Sequence, residues 1–199
     1  MQASILSLVL VLGASQVVAQ YTNQSAPFNL ILCSSNATLN GALLGACHEG
    51  AAIEGLCPSI GGNASASYNQ FTFNYTSKQT PDPVFGITGL LTWELRGGNF
   101  NLSSPMSIST SLTSNVAVPL FTPGSQFTSI GFDNDNMLFI PQYYDDTVVP
   151  PKFGSKPLQR WYACTTQDTY LYTTLAWVIG TQSPENPSCQ KVEVKRVFV

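Results

Sequence analysis

The sequence predicts an all-β protein folded as a single domain. Three observations carry that expectation. Windows of Ala, Leu, Glu and Lys at helical spacing are missing. Short β-branched and aromatic runs recur along the whole chain. Gly, Pro, Asn and Ser break those runs at short intervals. The chain has 199 residues, of which 44% are hydrophobic. That suffices for one core and is short for two.

The elements follow in order. Residues 28–33 form the first apolar run, which ends at Cys33. Residues 43–47 and 52–56 are the next two strands, and residues 50–56 are the only helix-like window, one turn at most. Residues 70–75 alternate Phe71, Phe73 and Tyr75 with polar residues, the period of a half-buried strand. Residues 90–95 hold Trp93 in an apolar setting, and residues 106–109 and 116–121 follow. Residues 127–132 and 137–140 flank Asp133-Asn-Asp-Asn136, which reads as a hairpin turn because Asx residues tolerate left-handed backbone. Residues 160–165 and 174–179 carry Trp161 and Trp177, and residues 192–198 alternate charge with β-branched residues. These twelve short strands suit a β-trefoil-like fold of three repeats of four, with a β-sandwich as the alternative. No threefold sequence repeat is visible, so the count carries the trefoil expectation. Two connections are longer. Residues 78–83 carry two prolines, and residues 141–157 carry four. Proline fixes φ and removes a backbone donor, so the second stretch reads as a rigid, irregular loop.

The first residues point to an oxidising compartment. Residues 5–12 are mostly apolar, and Val17-Val18-Ala19 precedes Gln20. This is the pattern of a secretory signal peptide over 1–19, with a mature domain over 20–199. The apolar run is too short to span a bilayer, and no later stretch reaches the required ~18 residues. The closing Lys191-Val-Glu-Val-Lys-Arg-Val-Phe-Val199 alternates, unlike the continuous apolar tail of a lipid-anchor signal. Five N-x-S/T sequons, at Asn23, Asn36, Asn63, Asn74 and Asn101, fit secretion. All lie in the first part of the chain, which leaves the second part barer for a partner. A secreted or cell-wall location follows.

Five cysteines in such a compartment should pair and leave one over. The expected bonds are Cys47–Cys57 and Cys164–Cys189, with Cys33 a buried free thiol. Pairings of Cys33 with Cys47 or Cys57 compete with that scheme, and spacing alone does not decide. No C-x-x-C occurs, so neither a zinc ribbon nor a thioredoxin-like site is encoded.

Charge and motifs exclude several functions. Eight basic and eleven acidic residues leave a net charge of −3, with no basic excess to grip nucleic acid. His48 is the only histidine and no G-x-S-x-G elbow exists, so a Ser-His-Asp mechanism lacks its parts. One histidine also rules out H-E-x-x-H metal sites. Asp133-Asn-Asp-Asn136 fails as a calcium loop, since Leu138 and Tyr144 stand where Gly and Glu are needed. No metal, no cofactor and no enzymatic activity are expected.

The candidate ligand-binding residues are Tyr143, Tyr144, Asp145 and Asp146. Tyrosine faces stack on sugar rings, and carboxylates bond sugar hydroxyls. Tyr170 and Tyr172 are further exposed candidates. A glycoside hydrolase would need a second acid such as Asp168, Glu49 or Glu54, because adjacent Asp145 and Asp146 point apart on an extended chain. Gln159-Arg-Trp161 matches the Q-x-W string of ricin-type lectins once, and Trp161 reads as a core residue. Cleavage at Lys195-Arg196 would remove only three residues.

Several strings resemble a family. They are Ala26-Pro-Phe-Asn-Leu, Ser34-Ser-Asn-Ala-Thr-Leu-Asn-Gly41 and Ala46-Cys-His-Glu-Gly-Ala-Ala-Ile-Glu-Gly-Leu-Cys57. Arg160-Trp-Tyr-Ala-Cys164, Thr174-Leu-Ala-Trp-Val-Ile-Gly180 and Cys189-Gln-Lys-Val-Glu-Val continue the pattern. Together they resemble an uncharacterised family of secreted glycoproteins of filamentous fungi, over essentially the whole mature chain. Trp161-Tyr-Ala-Cys164, Tyr170-Leu-Tyr172 and the strand after Cys189 are also similar to the cysteine-containing domain of PIR and PhiA-type fungal cell-wall proteins. The Gln-rich repeats and the QFQFD-type string of those proteins are missing. The resemblance implies a non-enzymatic, extracellular or wall-associated protein. Cell-wall polysaccharide is the partner that the aromatics and the resemblance point to.

Overall fold

The computed structural model describes residues 21–199. The predicted leader, residues 1–19, lies outside the described residues. The fold is all-β, as the sequence predicts: fifteen strands form one curled antiparallel sheet, a half-barrel. This arrangement is consistent with both the trefoil-like and the sandwich expectation.

The strands are β1 Asn23–Gln24, β2 Phe28–Cys33, β3 Leu43–Gly50, β4 Ile53–Ser59 and β5 Thr72–Tyr75. Next come β6 Thr88–Arg96, β7 Asn101–Ser109, β8 Val116–Phe121, β9 Ile130–Phe132 and β10 Leu138–Asp145. The last are β11 Lys152–Leu158, β12 Trp161–Gln167, β13 Leu171–Val178, β14 Gln190–Lys191 and β15 Glu193–Phe198. A 3-10 turn at Ser67–Asn69 is the one helical element described.

The main path through the sheet runs β11-β10-β9-β6-β7-β8-β4-β3-β2-β15. A single bridge between Met137 and Lys195 brings β15 back beside the start of β10. Two strands change partners along their length. β8 pairs with β13 at Val116 and Ala117, and with β4 at Leu120 and Phe121. β6 pairs with β9 at its start, with β5 in its middle and with β7 at its end. Such switching lets one sheet bend around a core without a second layer.

The core fills the concave side. Phe28, Leu30 and Leu32 of β2 alternate into it, with Leu44, Leu56, Phe71, Leu91, Phe121 and Trp161. Trp161 meets Trp177 edge-on at 4.8 Å, and its Nε1 donates to the Leu138 carbonyl at 2.8 Å. Trp161 is therefore a core residue, and it ties β12 to β10. Gly131 opposes Phe139 across β9 and β10, and the Phe139 ring occupies the space a side chain there would need.

The disulfides are Cys47–Cys57 and Cys164–Cys189, as expected. Cys33 is free but half-buried rather than buried, since it ends β2 at the rim of the sheet. Three further expectations need correction. Residues 127–129 are not strand: Thr128 instead braces β7, its amide donating to the Met106 carbonyl and its hydroxyl accepting from the Ile108 amide. Residues 101–105 join β7 although Pro105 lies among them, because β6 supplies a partner ladder through Thr92. Residues 141–157 are not an irregular loop. They are most of a β-hairpin, β10–β11, with Pro141 directly opposite Pro157. Two opposed prolines fit a non-hydrogen-bonded pair, where neither needs an N–H.

Candidate functional site

The hairpin β10–β11 carries all four candidate ligand residues at one edge of the sheet. Its register pairs Gln142 with Lys156 and Tyr144 with Phe153, so Gly154 and Ser155 together oppose Tyr143. This bulge on the outer strand bends the hairpin and blunts an otherwise open edge.

Period-2 geometry sends the two tyrosines to opposite faces. Tyr143, 49% exposed, leans edge-on against the buried Phe85 at 5.7 Å. Phe85 rests in turn on Phe139. Tyr144, 54% exposed, stands beside Phe153, which is 92% exposed, with their centroids 6.5 Å apart. Phe153 was absent from the sequence reading because it lies in the stretch expected to be loop. Alternation across a hairpin would have placed it beside Tyr144.

The acids at the hairpin end have different work. Asp145 Oδ1 accepts from the amide of Thr147 at 3.0 Å and from its hydroxyl. Those bonds hold the Asp145 carboxyl below its usual range, and Lys156 and Lys152 add to the effect. Asp145 is thus a turn cap, opposite Lys152 in register. Asp146 is exposed and makes no hydrogen bond or ion pair among the described residues.

A groove of about 450 Å³ adjoins the hairpin, with walls from Asp82, Phe85, Phe132, Asp133, Pro157 and Arg196. The turn Asp82–Gly86 closes on itself through two backbone bonds of 2.8 Å. Asp82 Oδ1 accepts from the amides of Val84 and Phe85, and Oδ2 accepts from Ser155. Partial burial pushes the Asp82 carboxyl up, but these hydrogen bonds outweigh it and hold the group below its usual value. This turn therefore seats Phe85 under Tyr143 and anchors the bulge. Asp133 is equally engaged: Oδ1 accepts from the amides of Asp135 and Met137, and Oδ2 from Gln159. Asp133-Asn-Asp-Asn136 is the expected hairpin turn, with Asn136 at φ 63°. Arg196 places its guanidinium 4.2 Å from the Phe132 ring centre and 4.8 Å from that of Phe198, and donates to Asn136. The dibasic pair is thus partly built into the fold.

The other acids gather elsewhere. Glu49 is 1% exposed and accepts from the Tyr170 amide at 3.1 Å, joining the β3–β4 turn to the β12–β13 turn. His48 Nδ1 lies 3.5 Å from Glu54, and its ring faces Tyr170 at 5.8 Å. Burial raises the Glu54 carboxyl; His48 pulls it down and Glu49 pushes it up. Neither Asp145 nor Asp146 shares a hydrogen bond with these acids or with Asp168 among the described residues. No group of three His, Cys, Asp or Glu able to hold a metal forms among the described residues.

The sequon asparagines differ in setting. Asn63 and Asn101 are exposed; Asn23, Asn36 and Asn74 are half-buried. Asn36 and Asn63 cap local turns through Oδ1. Asn74 sits in β5 between β1 and β6, with its Oδ1 buried and without a hydrogen-bond partner.

No described helix is long and apolar enough to cross a membrane. A family model described as a domain of unknown function (DUF7907) matches residues 25–198. No solved structure matches the chain.

Proposed function

The chain belongs to the DUF7907 family, and from that premise we propose that it is a non-enzymatic, wall-associated glycoprotein of fungi that holds cell-wall polysaccharide on the β10–β11 hairpin. The two disulfides mark it as an extracellular-type protein. Secretion by cleavage after Ala19, glycans on the sequons and kinship with PIR and PhiA-type domains belong to this reading.

One observation carries it. Tyr144 and Phe153 form an exposed aromatic pair on the edge hairpin, with no protein side chain stacked over them among the ring contacts described. Exposed rings are a loss in water unless something covers them, and the apolar face of a sugar does so. The carboxylates around the adjoining groove already accept hydrogen bonds from the protein. That supports binding rather than catalysis.

The test is retention of the purified mature protein on insoluble chitin, β-glucan and mannan-rich wall, before and after enzymatic deglycosylation. Saturable retention on one polymer that survives deglycosylation, and falls at least about tenfold in Phe153→Ala or Tyr144→Ala, is the expected result. No retention on any polymer overturns the binding reading and sends the search to protein partners.

A glycoside hydrolase remains the second reading, favoured by the raised Glu54 carboxyl beside the buried Glu49. Turnover of the same polymers that disappears in Glu54→Gln would establish it and displace the first.

A further inference from the structure

A second concavity lies where β5 stops short of β6. β5 pairs with β6 only as far as Thr92, so residues 93–96 continue past it. The notch there holds about 240 Å³, with Trp93, Glu94, Arg96, Gln24, Gln70 and Ser103 in its walls. That is below the ~300 Å³ at which drug-sized pockets begin, and suits one or two sugar rings.

The chemistry of the walls is that of a neutral polyol site. Trp93 supplies the accessible part of a half-buried indole, which packs against the core with its Nε1 buried. Glu94 Oε2 accepts from Arg96 Nε at 2.8 Å, which leaves Glu94 Oε1 and both terminal Arg96 nitrogens without hydrogen-bond partners among the described residues. Gln24 donates to Thr72, and its carbonyl oxygen stays free among the described residues. Adjacent free acceptors and donors around an apolar ring match the hydroxyls and C–H face of a pyranose.

The register of β6 and β7 names an occupant. Arg96 lies directly opposite Asn101, and Glu94 opposite Ser103. Directly opposed residues share a face, with Cβ atoms about 5 Å apart. Asn101 is an exposed sequon asparagine, and Ser103 is both its sequon serine and a wall of the notch. A glycan on Asn101 therefore starts one residue pair from the notch, on the face of Glu94, Arg96 and Ser103.

We propose that the Trp93 notch is a pyranose subsite filled by the first N-acetylglucosamine units of the protein's own Asn101 glycan. The proposal rests on glycosylation, part of the extracellular reading above, but not on the hairpin. Docked in this way, the glycan covers the exposed Glu94–Arg96 ion pair and the accessible part of the half-buried Trp93.

Peptide mapping of the secreted protein measures occupancy at Asn101. The wild type and Asn101→Gln are then titrated with N,N′-diacetylchitobiose by calorimetry. Enzymatically deglycosylated wild type serves as a second route to an empty notch should the variant fail to fold. The expected result is an occupied Asn101, and chitobiose binding at least about tenfold tighter to either glycan-free form than to the intact glycoprotein. Adding Arg96→Ala to the glycan-free form should abolish that gain. An unoccupied Asn101, or equal chitobiose binding with and without the glycan, overturns the proposal. Polymer retention through Tyr144 and Phe153 is scored separately, so either reading can fail alone.

Discussion

The two hairpins β3–β4 and β10–β11 share an architecture and differ in almost everything else. β3–β4 is flanked by β2 on one side and β8 on the other, and its strands are cross-linked by Cys47–Cys57. Its turn is docked onto the β12–β13 turn by the buried Glu49. β10–β11 ends the sheet, has no disulfide, and leaves Tyr144 and Phe153 in solvent. The first spends its side chains on the interior. The second is held toward its base, by pairing with β9, the Trp161–Leu138 bond, the Asp82–Ser155 bond and the seat of Tyr143 on Phe85, and its far end carries the exposed pair Tyr144 and Phe153. Binding surfaces are drawn from such sparsely packed elements held by a rigid scaffold.

The largest effect should come from cutting the base that both regions share. Trp161→Ala removes a fully buried indole and its bond to the Leu138 carbonyl. A loss of about 3–5 kcal/mol in chemical denaturation is expected. A loss under about 1 kcal/mol would mean that the core does not transmit between β12 and β10. Next comes the disulfide of the β12–β14 segment: replacing Cys164 and Cys189 by Ser together should cost about 2–4 kcal/mol. The same double replacement at Cys47 and Cys57 should cost somewhat less, because its loop of 10 residues is shorter than the 25 of the other.

Acid should separate the two hairpins. Glu54 titrates above its ordinary value in the folded protein. The folded state therefore binds that proton more tightly than the unfolded state. Its contribution favours folding at low pH and is lost as pH rises through the folded value. Asp82 and Asp145 are held low. Their contribution is present above the ordinary aspartate value and is lost as pH falls through their folded values. Glu54→Gln should flatten the stability profile just above the carboxylate range. Asp145→Asn should flatten it below that range. Thermal melts from pH 2 to pH 7 read both, and identical profiles for the two variants would erase the contrast.

The smallest effect on stability should accompany the largest on binding. Phe153→Ala and Tyr144→Ala remove exposed rings and should stay within about 0.5 kcal/mol of wild type by denaturation, while polymer retention falls. A large stability loss would show that the pair packs inward and is not a contact surface.

Much of the scaffold was readable in the chain. The alternation at Phe71, Phe73 and Tyr75 and the Asx turn at residues 133–136 stand as the residues imply, and the two disulfides are the expected pairings, chosen over the rival bonds to Cys33. The candidate site was only half readable. Tyr143 and Tyr144 were picked out, yet Phe153, Asp82 and Arg196 were not. Four prolines between residues 141 and 157 signalled a loop. That signal fails here because an edge strand tolerates proline wherever no ladder donor is needed. The partnership of Asp82 with Ser155, 73 residues apart, leaves no trace in local sequence.

The sequence by itself determined the fold class and which side chains carry aromatic or acidic chemistry; it named the cysteine pairing that formed but left Cys33 as a rival partner. These depend on short-range periodicity, residue type and compartment. Only the tertiary structure decided that Asp145 caps a turn, that Glu49 is a buried latch, and that Tyr144 faces Phe153 while Tyr143 faces Phe85. Strand register and sheet order fix those outcomes. Both are set by long-range pairing, in which a shift of one residue turns every side chain to the opposite face.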